Sequence, residues 1–168
     1  SWWRTDCQVH TSGIIWIKKK QKVMESKSPK EIQVEEKITD LVTKIVEEQT
    51  SGDDLPIRLW NNLRNHQEIA AIQEYANMVS IGRLGLNDHG PVHMKTVCRN
   101  ALKMLSILYT AGMQTSLEKE NIGTFADSVA AVMLASLLHD SGMTIGRKGH
   151  ELYSGIISYP IIEKVLSQ

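Results

Sequence analysis

The sequence predicts an all-α fold, a bundle of about six helices, and three observations predict it. Apolar residues recur at spacings of three and four, rather than two, over most of the chain. Pro29, Pro91 and Gly112 fall where helices start and stop. Aromatic residues make up only 5% of a chain that is 42% hydrophobic, so its apolar content is mostly Ala, Leu, Ile, Val and Met, which suit helices better than sandwich strands.

At 168 residues the chain is one ordinary domain, or most of one, and can bury a real core. Nineteen basic residues balance nineteen acidic ones, which argues against a general nucleic-acid binder. The two cysteines, Cys7 and Cys98, lie far apart in unlike contexts and build neither a disulfide framework nor a Cys-rich zinc site, so a cytoplasmic location is expected. No apolar run is long enough to span a membrane, and the start of the chain lacks the apolar core of a secretory signal.

Residues 1–23, with Trp2, Trp3, Trp16 and the run Lys18-Lys19-Lys20, form no helical face and read as a leader-like or tag-like segment, poorly ordered; the rival reading is a basic arm. Residues 24–85 read as an N-terminal helical extension. Ser28-Pro29-Lys30-Glu31 fits a capping box, and Ile38, Leu41, Val42, Ile45 and Val46 make one stripe. Within it Ile38, Leu41, Ile45 and Val46 are a candidate surface for self-association, while Glu35, Glu36, Lys37, Lys44, Glu47 and Glu48 read as a solvated face. Leu55 to Asn65 and Gln67 to Ser80 read as two further helices, with His66 as a surface or capping residue between them. The glycine-framed loop around Arg83 to His89 follows, and Asp88 reads as a cap for the next helix.

Residues 86–168 hold the candidate site. A helix is predicted from Pro91 to Ala111, with His93 in its first turn at the end of a core-facing stripe. Gln114 to Gly123 is a polar connection, and Phe125 to His139 an apolar helix. Ser141 to Lys148 is a loop, and a helix from His150 to Ser158 is broken or restarted at Pro160. The chain ends on an apolar pattern, Ile161, Ile162, Val165 and Leu166, which predicts that the native protein continues.

From Val129 to Leu138 there are ten residues without a charge, and then His139 and Asp140 arrive together. A wholly apolar segment is a buried one, so its last turn carries two polar side chains out of the core. Imidazole and carboxylate side by side suit a borderline or harder divalent ion. The other reading is a helix closed by a C-terminal His with a solvated Asp beside Gly142. His93 lies 46 positions before His139, and His150 lies 11 positions after it. Together they could supply three or four N and O ligands to an open site.

Two segments, Asn87-Asp88-His89-Gly90-Pro91-Val92-His93-Met94-Lys95-Thr96-Val97 and Ala135-Ser136-Leu137-Leu138-His139-Asp140-Ser141-Gly142-Met143, resemble the HD-domain metal-dependent phosphohydrolase superfamily. Gly149-His150-Glu151-Leu152-Tyr153-Ser154-Gly155 is similar to the His-containing helix start that often follows. The resemblance implies an HD-like core over residues 86–168 with His93, His139 and Asp140 as metal ligands, and His89 and His150 as further candidates. Asp140 and His150 would be catalytic, and Arg147 and Lys148, by their charge just past the dipeptide, are the candidates for binding the substrate's phosphate. It implies a divalent cofactor (Mg, Mn, Ni, Co, Fe or Zn) and hydrolysis of a small phosphoester, a nucleotide, through a metal-activated water. Nucleic acid and membrane are not expected partners. The family completes its shell with an Asp on a later helix, whereas the only acidic residue after Glu151 is Glu163, outside that motif. A core truncated at the C-terminus is therefore expected, and the alternative is a non-catalytic metal-binding or regulatory module of the same fold.

Overall fold

The chain builds α1 (Pro29–Gln49), α2 (Leu55–Leu63), α3 (Gln67–Leu84), α4 (Pro91–Thr110), the single turn α5 (Ser116–Lys119), α6 (Phe125–Leu138), a 3-10 turn (Ser141–Thr144) and α7 (His150–Leu166). This computed structural model describes residues 27–85 and 89–167. The fold is all-α, and no strand occurs among the described residues. The leader-like segment 1–23, together with Asn87 and Asp88, lies outside the described residues.

Local chemistry sets most of the boundaries. Ser28 caps α1 by accepting the Glu31 backbone N–H at 3.2 Å, with Pro29 in the first turn. Helix α3 runs four residues past the predicted Ser80. It stops at Gly85, whose left-handed φ of 61° lets its N–H return to the Ser80 carbonyl. The polar connection after α4 holds α5, opened by a reciprocal capping box between Thr115 and Glu118. The predicted break at Pro160 does not occur, and α7 is continuous across it. Pro160 and Ile156, whose carbonyl loses its N–H partner, are both exposed, so water can take the freed carbonyl.

One core joins the early helices to the late ones. Helix α1 lies on α4, α4 on α6, and α2 against both α1 and α6. Ile38, Val42, Ile45, Leu59, Trp60, Cys98, Leu102, Val129, Met133 and Leu137 share this core. The α1 stripe expected to mediate self-association is therefore used within the chain: Ile38, Val42, Ile45 and Val46 are buried and Leu41 packs against them. Burial pushes the Cys98 thiol up to about 12, so it is an inert core residue.

The face of α1 read as solvated needs a second correction. Glu31 and Glu35 are buried and both accept hydrogen bonds from the buried ammonium of Lys95 on α4, the Glu35 bond at 2.5 Å. Lys27 adds a second donor to Glu35 at 2.8 Å. Burial alone would raise the Glu35 carboxyl, but hydrogen bonds and charge from Lys27 and Lys95 outweigh it and hold the group below its ordinary value. The folded protein therefore takes up this proton at lower pH than the unfolded chain does. The stabilising contribution is complete above the ordinary value of 4.5 and is lost as pH falls through the folded value. Urea midpoints measured against pH are expected to fall below that point, and to fall less steeply in Glu35→Gln. Parallel curves would remove Glu35 from the acid transition.

Candidate metal centre

Helix α6 starts at a reciprocal capping box. Thr124 Oγ1 accepts the Asp127 N–H at 3.2 Å, and Asp127 Oδ2 accepts the Thr124 N–H at 2.7 Å. Its body is buried almost throughout, so its C-terminal carbonyls also end inside the protein, where each needs a donor. Ser136 O accepts from His139 Nδ1 at 2.9 Å, Leu137 O from Gln73 Nε2 at 2.9 Å, and His139 O from Ser154 Oγ at 2.5 Å. Closing this helix end fixes the ring of His139. With Nδ1 donating to the Ser136 carbonyl, the neutral ring carries its lone pair on Nε2, the tautomer a metal ligand needs, and the protonated ring donates from Nε2 to Asp140.

Asp140 follows and turns inward, its side chain only 5% exposed. Its Oδ2 lies 3.1 Å from His139 Nε2 and 3.4 Å from His93 Nε2, and its Oδ1 lies 3.5 Å from His150 Nε2. Three imidazoles from three separate segments thus converge on one buried carboxylate. His93 stands in the first turn of α4, after Gly90 at the N-cap and Pro91 in the first position. His150 opens α7, and its Nδ1 sits 2.8 Å from Arg147 O, which repeats the arrangement at His139. The rings of His93 and His139 are 5.5 Å apart between centroids, and His89 stands one ring further out, 5.6 Å from His93.

The electrostatics follow from this packing. The hydrogen bond to Asp140 raises His139 above its ordinary value against the opposing effect of burial, with help from the Ser136 carbonyl. Burial would raise Asp140, but the hydrogen bond and charge of His139, with His89 and His93 further off, hold it below its ordinary value.

One ligand atom from each of His93, His139 and Asp140 falls within 4.8 Å of the others, so these three could hold a metal ion. His150 faces the other oxygen of the same carboxylate, and His89 lies outside the three-residue group. Arg147 and Lys148 are exposed on the loop before α7, and it is the Arg147 carbonyl, through His150, that reaches the centre. The solvated-Asp reading of Asp140 fails on its burial.

Several residues that build the centre escaped the sequence reading. Ser154 Oγ donates to His139 O and accepts the Gly142 N–H at 2.8 Å, and Ser141 Oγ meets Ser158 Oγ at 3.2 Å. These contacts seat α7 on the turn that follows Asp140. Gln73 on α3 is another, through its bond to Leu137 O, and its signal is a polar residue on a stripe that is otherwise apolar, between Ile69 and Ala76.

No family model matches this chain, and no solved structure matches it significantly. It is 36% identical over 122 residues to a protein of Methanocaldococcus jannaschii that is described as uncharacterized. The match takes in 73% of this chain and 47% of the relative, so the chain spans about half the length of the curated relative it matches.

Proposed function

We propose that this chain is a metal-dependent phosphohydrolase of the HD type, which cleaves a small phosphoester, with nucleotides as the first substrate class to test. The observation that carries the proposal is the convergence of His93, His139 and His150 on the buried Asp140. The donor set fits a divalent ion: two imidazole nitrogens and a carboxylate oxygen, with one imidazole tied through Nδ1 to a carbonyl. A divalent ion held there would supply Lewis acidity toward a phosphoryl oxygen and bring the pKa of water near neutrality.

The chain's own groups have separable tasks. His93 and His139 are ligands through Nε2. Asp140 balances positive charge with one oxygen and leaves the other toward His150, where it can orient a water. His150, whose Nε2 lies 3.5 Å from that other oxygen, is the residue we assign as proton donor to a phosphoryl or leaving-group oxygen. Arg147 and Lys148 are the cations nearest in sequence for the phosphate. Their exposure favours a second reading, a metal-binding or regulatory module without turnover, because neither cation is held against the centre.

Metal analysis of the purified chain, with phosphatase and phosphodiesterase screens under added Mn, Mg or Ni, tests both readings. Bound metal and turnover that vanish together in His139→Ala support the enzyme. Metal without turnover supports the binding module, and metal retained in His139→Ala overturns the centre itself.

A further inference from the structure

Helix α7 carries apolar side chains on two sides. Ser154, Ser158, Ile161 and Val165 are buried against the protein. On the outer side Leu152, Ile156, Tyr159 and Leu166 are each more than half exposed, with Ile162 half-buried at their edge. Solvated single hydrophobics are ordinary, but a continuous stripe of them at spacings of three and four is a seam that awaits another helix.

The order of residues in this stripe says which helix. Counting outward from Tyr159, Ile156 and Ile162 lie three residues away on either side, and Leu152 and Leu166 lie seven away. The stripe reads the same in both directions. A two-fold interface is made from the same patch on both copies, and in an antiparallel helix pair each residue meets the one equally far on the other side of the axis. Leu would then face Leu, Ile would face Ile, and Tyr159 would sit on the axis. Glu163, four residues past Tyr159, would fall opposite Gly155, where there is open space and no side chain. Its carboxylate already accepts the Tyr159 hydroxyl at 2.9 Å. A net charge of zero sets no repulsion between copies.

We propose that the partner of this face is a second copy of the chain, paired α7 to α7 in antiparallel fashion about Tyr159. A groove of about 450 Å³ between α6 and α7, lined by Leu134, Leu138, Ser158 and Ile162, runs beside the stripe and receives side chains from the partner. His139 and His150 also line this groove, so the pairing covers the flank of the metal centre.

Sedimentation equilibrium of the full chain tests this, with cross-linking of cysteine variants in a Cys7→Ser background. The expected species has twice the 18.9 kDa mass of the chain. Tyr159→Asp and Ile156→Lys are each expected to give monomers with unchanged circular dichroism. Tyr159→Cys is expected to cross-link to itself, whereas Leu152→Cys is expected to link only when mixed with Leu166→Cys. A monomer at every concentration, a dimer indifferent to both charge variants, or Leu152→Cys linking to itself would each overturn the pairing. A longer form that stays monomeric while shielding Tyr159→Cys would also overturn it and would assign the face to another segment.

Discussion

Asp140→Asn is expected to lower divalent-metal affinity by more than about 100-fold, because even the partners that merely orient a metal ligand contribute about 10–100-fold. The change keeps size and shape but removes the negative charge on which His93, His139 and His150 converge. An amide can still accept one hydrogen bond, so the fold should survive, and circular dichroism should be unchanged. Titration calorimetry with Mn or Zn on both proteins reads the difference, and an affinity within a few-fold of the parent would exclude Asp140 as a ligand. The pH dependence should change with it. In the parent, binding must displace the proton that Asp140 helps His139 to keep, so affinity should climb as pH rises past the ordinary imidazole value of 6.5. The Asn variant loses that hold on the proton, so its climb should begin at lower pH.

Gly142→Ala is expected to destabilise the protein by about 3 kcal/mol, at the upper end of ordinary overpacking. A Cβ at this position would lie 2.0 Å from His150 O and 2.6 Å from Ser154 N, and both are backbone atoms that no rotamer change can move. The first turn of α7 would have to lift away, taking His150 from Asp140 and breaking the bond from Gly142 N–H to Ser154. For a domain of this length the expected fall in Tm is roughly 6–12 °C. Gly146→Ala, in open space a few residues later, serves as the control and should be near neutral. Equal melting of the two variants would mean that α7 is not seated on this turn.

Local signals were legible in the sequence wherever they act within a few residues. The capping residue Ser28, Pro91 at the start of α4 and the uncharged run of α6 each gave an element of the right kind in about the right place. Pro160 misled, because the rule that proline breaks a helix depends on whether the freed carbonyl meets water or protein. Glu35 misled for the opposite reason. A carboxylate at a helical spacing that suits solvent becomes a core residue when Lys95, 60 positions away, arrives to neutralise it. At the centre, spacing picked out His93, His139, Asp140 and His150. It could not reveal the donors from Gln73 and Ser154, since the demand for them exists only once the end of α6 is buried.

The paired ties from His139 to Ser136 and from His150 to Arg147 have one further consequence. Each imidazole takes its aim from a carbonyl three residues behind it, so each is oriented by its own four-residue piece of chain. Distant packing is left to bring two pre-aimed pieces to the right separation. Damage to the remote core should therefore change the gap between the two rings and leave each ring's direction intact. Such a centre would weaken by degrees as the protein loosens, before its parts come apart.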